Sequence, residues 1–249
     1  MGRVKRLAGL LLTTVVLAGW SESLAKWSID FETGAVFAGY NDARIPGDTG
    51  TKFSLSEELE MKSSYFFRVR FTHSINDRHH ISALFAPLRL DAGGQVNKPV
   101  SFNQVDFKAD ASLKAKYRFD SYRLTYQYGF YRSKSFRAGL GLTAKIRDAS
   151  ISLEDQNQRT EKKNTGFVPL INFGLKWMFA EKFGLLLEGD ALAAPQGRAE
   201  DVLFALESRV GDAVTLKAGY RVLEGGADVD EVYTFALFHY IVVGATVVF

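Results

Sequence analysis

From residue 27 onward the chain alternates between apolar and polar positions. In FSLSEELEMKSSYFFRVRFTHSI, residues 53–75, the odd positions hold Phe53, Leu55, Leu59, Met61, Tyr65, Phe67, Val69, Phe71 and Ile75. The even positions hold Ser54, Ser56, Glu58, Glu60, Lys62, Ser64, Arg68, Arg70 and Ser74. A period of two sends one set to each face of an extended strand, whereas a helix would scatter both sets around its axis. Glu57, Phe66 and His73 depart from the rule. Read as a single strand, the segment far exceeds the roughly 5–6 residues common in globular sheets.

The same rhythm recurs. Residues 27–40 set Trp27, Ile29, Phe31 and Phe37 against Asp30 and Glu32. Residues 122–131 set Tyr122, Leu124, Tyr126, Tyr128 and Phe130 against Arg123 and Gln127, and residues 136–148 set Ala138, Leu140, Leu142 and Ile146 against Lys145 and Arg147. Residues 167–179 oppose Phe167, Ile171, Phe173, Leu175, Trp177 and Phe179 to Asn172 and Lys176. Residues 183–191, 202–210 and 213–222 repeat the pattern with Glu188, Asp190, Glu207, Arg209, Lys217 and Arg221 on the polar face. In HHISALFAPLRL, residues 79–90, both faces are mostly apolar.

The connections alternate as strictly as the residues. Short ones fall at 76–78, 133–135, 180–182 and 211–212; longer, polar, Gly-rich ones fall around 41–52, 91–111, 153–163, 193–201 and 224–231. Four short and five long connections join ten strands. Short turns at one end, longer loops at the other and an even strand number predict a transmembrane antiparallel up-and-down β-barrel of about ten strands, all-β throughout. A soluble barrel with the same apolar stripes turned inward would have to hold nearly every aromatic in a lumen too narrow for them.

The N-terminus fits export. Arg3, Lys5 and Arg6 precede an apolar run from Leu7 to Gly19, and Ser23-Leu24-Ala25 supplies small residues where a signal peptidase cuts. We read residues 1–25 as a cleaved signal peptide and residues 26–249 as the barrel domain; the run falls short of the roughly 20 apolar residues of a membrane-spanning helix. The 25-residue leader holds three of the 31 basic and one of the 28 acidic residues, so the net charge of +3 nearly vanishes in the mature chain. Nucleic acid as a partner therefore has no electrostatic support. There is no cysteine, so an exported chain of this kind relies on backbone pairing and packing alone.

The chain ends YIVVGATVVF. Gly244, Val247 and Phe249 resemble the C-terminal assembly signal of bacterial outer-membrane barrels, although Val242 stands where that pattern has a polar residue. The whole mature chain resembles small outer-membrane barrels in general. The resemblance implies a Gram-negative outer-membrane location, insertion by the barrel-assembly machinery, and lipid and lipopolysaccharide as neighbours. It does not imply a substrate.

For chemistry, the polar stripe nominates Arg68, Arg70, Lys145, Arg147, Glu188, Asp190, Glu207, Arg209, Lys217 and Arg221, with Lys176, as lumen-facing charges. Two readings follow: a structural or surface barrel plugged by paired charges, or a narrow channel or small-solute transporter. A general porin is disfavoured, since open pores need about 16–18 strands. A third reading is an outer-membrane hydrolase. The omptin family uses paired aspartates with an Asp-His pair near the outer rim, but His73, His79 and His80 flank a short turn and His239 sits on the lipid-facing stripe. Lipid A deacylases of the PagL type use His-x-Ser near the outer leaflet; His80-Ile81-Ser82 has that spacing at the opposite end. No catalytic residue, cofactor or metal ligand is assigned. The acidic segments carrying Glu200 and Asp201 and carrying Glu224, Asp228, Asp230 and Glu231 are read as loops.

Overall fold

A computed structural model describes residues 26–249; the expected signal peptide lies outside the described residues. The strands are β1 (Lys26–Arg44), β2 (Phe53–Ser54), β3 (Ser64–Ile75), β4 (His79–Ala86), β5 (Arg89–Gln95), β6 (Val100–Phe102), β7 (Val105–Phe107), β8 (Ser112–Arg132), β9 (Phe136–Glu154), β10 (Arg159–Met178), β11 (Phe183–Ala194), β12 (Gly197–Val210), β13 (Val214–Val229) and β14 (Val232–Val248).

Each long strand pairs antiparallel with its neighbours, and β14 returns to β1 to close the sheet. β4 and β5 both lie against β8, interrupted at Pro87-Leu88, and form one barrel strand. Pro87 has no N–H to give to a ladder, which accounts for a break at that point. Counted this way the barrel has ten strands. The short hairpins fall where the sequence puts them. In the three-residue connection between β3 and β4, Asn76 and Asp77 both have positive φ, 53° and 52°, a conformation these residue types tolerate and one suited to the tight turn that Arg78 N–H closes on the Ile75 carbonyl at 3.2 Å.

The outer wall is apolar. Tyr122, Leu124, Tyr126, Leu142, Ile146, Phe167, Ile171, Phe204, Leu206 and Ile241 are all exposed outward. Aromatic rings gather at both ends of this belt. Trp27, Phe130, Trp177, Phe179, Phe183 and Phe249 lie toward the short turns, and Phe37, Tyr65, Phe67, Phe85, Tyr122 and Phe167 lie toward the loops. Phe67 meets Phe85 edge-on at 5.9 Å between centroids, and Phe85 stacks on Tyr122 at 5.2 Å. Aromatic girdles bounding an apolar band are what a membrane barrel needs where acyl chains meet headgroups.

Two expectations are corrected. Residues 53–75 are not one strand: β2 pairs briefly with β1, the chain turns through residues 55–63, and β3 begins at Ser64. Phe53, Leu55 and Leu59 alternate because they bury among Val96, Val100, Phe102, Phe107, Leu113 and Leu153, and not because they face lipid. The β6–β7 hairpin supplies Phe102 and Phe107 to this apolar cluster, which caps part of the loop end. Second, three connections expected to be long are tight. Residues 155–158, 195–196 and 230–231 are all that join β9 to β10, β11 to β12 and β13 to β14. The polar residues read as loop are the ends of strands extending past the belt.

Candidate functional site

The lumen has two zones. In the lower zone, toward the short turns, charged side chains from six strands interlock. β1 supplies Asp30 and Glu32, β3 Arg68 and Arg70, β8 Arg123, β11 Glu188 and Asp190, β12 Asp201, and β13 Lys217 and Arg221. Strand alternation points all ten inward, because the intervening positions carry the lipid-facing residues.

Asp201 is the hub. It accepts from Arg68 at 3.0 Å, Arg123 at 2.5 Å and Arg221 at 2.6 Å. Glu32 accepts from Lys217 at 2.7 Å and Arg221 at 2.8 Å, and Arg68 stands 3.4 Å from it. Arg70 forks onto Glu188 at 2.9 Å, Arg123 reaches Asp190 at 2.6 Å, and Lys217 reaches Asp30 at 2.8 Å. The five carboxylates and five cations balance. Neutral donors fill remaining valences: Thr143 and Asn172 donate to Asp190 at 2.6 and 2.8 Å, and Thr246 donates to Asp30 at 2.6 Å. A buried charge network is tolerable only when paired and hydrogen-bonded in this way. Below it, Lys176 meets Glu207 at 2.6 Å.

Of the charges nominated from sequence, Arg68, Arg70, Glu188, Asp190, Lys217 and Arg221 enter the network. Glu207 pairs beneath it. Arg209 is exposed at the end of β12 and joins no ion pair among the described residues. Lys145 and Arg147 face a different space, described below. Asp30, Glu32, Arg123 and Asp201 were not nominated. The first three sit on the polar stripes of their strands; the polar run before Val202 reads as loop and conceals the strand end that carries Asp201.

The upper zone is a cavity of about 510 Å³ at the loop end. Its wall includes Tyr117, Phe119, Ile151, Leu223 and Phe238, and exposed Ala194, Gln196 and Arg198 form part of its rim. At the rim Arg198 forks onto Glu224 at 2.9 and 2.8 Å, and Tyr40 also bonds Glu224. Lys145 lines the cavity and is only 3% exposed. It makes no ion pair or hydrogen bond among the described residues; its ammonium lies 4.8 Å from the centre of the Phe119 ring. Arg147 reaches Asn164.

No histidine lines this cavity. His73, His79 and His80 lie at the short-turn end, and His239 faces outward on β14, bonded to Tyr220 and 5.3 Å from Phe37. Among the described residues no group of three or more His, Asp or Glu side chains is disposed to hold a metal ion.

No protein-family model matches the sequence, and comparison with curated proteins finds no match. Solved structures do match. The outer membrane protease OmpT from Escherichia coli superposes with a TM-score of 0.57 at 9% identity, covering 90% of this chain and 97% of that one. Ail, the attachment invasion locus protein of Yersinia pestis, gives 0.41 at 10% identity over 90% and 99% of the two chains. An outer membrane channel from Pseudomonas putida F1 gives 0.41 at 9% identity over 96% and 100%. The chain has the closed, antiparallel, ten-strand fold of bacterial outer-membrane β-barrels.

Proposed function

We propose that the protein is a non-conducting surface barrel of the outer membrane, plugged at mid-lumen and open only to the outside. In this reading the loop end faces the medium among lipopolysaccharide, and both ends of the mature chain lie on the periplasmic side. Residues 1–25 are removed on export, and Gly244, Val247 and Phe249 present the last strand to the barrel-assembly machinery.

One observation carries the reading: ten balanced charges form a continuous network across the lumen. A solute path at that level would have to break several charge-assisted hydrogen bonds in a low-dielectric interior. A hydrolase is disfavoured by the same chemistry. The facing carboxylates Asp190 and Asp201 are held by Arg123, which leaves neither free to act as a base, and no histidine lines the loop-end cavity.

The test is conductance of refolded residues 26–249 in a planar lipid bilayer, with folding verified by a heat-modifiable shift on a gel. The expected result is a silent bilayer. Discrete current steps whose ion selectivity shifts with Arg147→Glu would overturn the plugged reading in favour of a channel.

A further inference from the structure

The cavity combines three features. Its wall is aromatic and aliphatic, built from Tyr117, Phe119, Ile151, Leu223 and Phe238. Three cations without an ion pair among the described residues border it, Lys145, Arg147 and Lys162, and of these Lys145 is almost wholly buried. The network beneath is already balanced, so the charge of Lys145 is surplus. An apolar enclosure with a buried lysine that lacks an anion is complementary to an apolar body carrying a negative charge, which would supply the partner that holds the lysine in its charged form.

The barrel wall is also open beside this cavity. β10 pairs with β9 from Arg159 to Trp177, but with β11 only from Ile171 to Met178. Beyond that level Leu192–Ala194 of β11 pair only with β12. Pro169 stands at the parting, where it has no N–H to offer a ladder. Phe167, Val168 and Pro169 on one side of the break and Leu192 and Ala194 on the other all border the cavity. An unpaired strand edge is not stable against hydrocarbon but is tolerated where it lines a cavity. Phe167, 67% exposed outward, sets the height. It pairs across β9 with Ile146, which pairs with Tyr122, in the girdle at the loop end of the belt. The break therefore begins where acyl chains meet headgroups.

We propose that the cavity binds a fatty carboxylate, a single-chain amphiphile whose head sits on Lys145 and whose chain lies along the apolar wall. The molecule reaches the cavity from the outer-leaflet side through the break between β10 and β11. The inference rests on the plugged reading in that the network closes the cavity floor. Arg147, beside Lys145 on the same face of β9, adds positive potential near the head, and the Glu224–Arg198 pair keeps the rim neutral.

The test is equilibrium dialysis of radiolabelled decanoate against residues 26–249 in phosphatidylcholine nanodiscs, with uptake by lipid-only discs subtracted. The expected result is saturable binding at one site per barrel. Decanol and decyltrimethylammonium bind at least about tenfold more weakly, since each forfeits the charge-assisted contact. Lys145→Met weakens decanoate by about the same factor and leaves decanol unchanged, and Lys145→Arg retains decanoate. Ala149→Trp, which fills the cavity from β9, abolishes binding of both and serves if Lys145→Met does not fold. Equal affinity for decanoate and decanol, uptake no greater than lipid-only discs, or decanoate binding indifferent to Lys145→Met would each overturn the proposal. Conductance on the same protein separates this from the plug. A silent bilayer without decanoate binding overturns the ligand alone. Current steps alongside Lys145-dependent binding overturn the plug and uphold the ligand.

Discussion

Asp190 on β11 and Asp201 on β12 stand directly opposite each other in the ladder, and the guanidinium of Arg123 bonds both, at 2.6 and 2.5 Å. Like charges directly opposed across a strand pair are destabilising; the arginine converts the pair into an anchor reaching across the lumen from β8. Arg123→Met should leave two buried carboxylates facing each other and lower stability by about 3–5 kcal/mol. Arg123→Lys should recover only part, because a point charge cannot fork between two acceptors. Adding Asp190→Asn to Arg123→Met should restore some of the loss by removing the repulsion. Urea unfolding in lipid vesicles reads all three; an Arg123→Met variant as stable as the parent would mean that water, not the arginine, solvates the pair.

The plug also makes a prediction about transport. Glu32 and Arg221 meet near the centre of the network, and replacing both by alanine removes two large side chains while keeping the network's net charge unchanged. The double variant should show current steps that the parent lacks, at a stability cost smaller than that of either single replacement, since neither partner is left buried alone. Bilayer recording and gel-shift midpoints measured together check it. Silence from a folded double variant would assign the block to the remaining members, chiefly Asp201 with Arg68 and Arg123.

Gly244 has a packing role inside the barrel as well as a place in the terminal pattern. It lies opposite Glu32 on β1 and Lys217 on β13. A Cβ at this position would come 2.4 Å from the carbonyl oxygen of Phe31 and 3.0 Å from the Lys217 side chain. The missing side chain lets Lys217 cross over β14 to reach Glu32 and Asp30. Gly244→Val should lower stability by about 1–3 kcal/mol through overpacking at the seam where the barrel closes. Refolding the purified variant without any assembly factor tests this: normal refolding would leave only a role in delivery to the membrane.

How much of this was legible depended on whether two neighbouring positions differed in polarity. The lipid-facing stripes of β8, β9, β10 and β12 and the inward charges opposite them were plain, because aromatic and ionic residues alternate there. The upper lumen was not. The inward positions Ala86, Leu90 and Ala92 on β4–β5 and Ala236, Phe238 and Tyr240 on β14, together with Leu84 and Val242 beside the charged network, are as apolar as the outward ones, so the period-two contrast vanishes. That is why residues 79–90 read as ambiguous and why Val242 looked like a departure; it faces the interior, 1% exposed. Asp201 was missed for the converse reason, since strand ends beyond the belt are polar on both faces and read as loop. The expectation of a uniformly polar lumen fails above Lys145, and even among the network charges Leu84 and Val242 face inward.

The loop cap offers a last, separable prediction. Phe102, from the β6–β7 hairpin, packs edge-on against Phe53 at 5.8 Å and is fully buried. The hairpin forms no ladder with the barrel strands; apolar contact fixes it there together with a few hydrogen bonds, from Thr51 N–H to the Ser101 carbonyl at 2.9 Å and from Asn103 N–H to the Ile45 carbonyl at 2.8 Å. Phe102→Ala should cost about 3–5 kcal/mol of local stability, enough to free residues 96–111 while the closed sheet persists. Limited proteolysis of the refolded variant should then cut within 96–111 at protease levels that leave the parent whole, with the heat-modifiable shift unchanged. If the shift is lost as well, the cap and the barrel form one cooperative unit, and the apolar cluster at the loop end is needed to hold β3 and β5 in place where no ladder joins them.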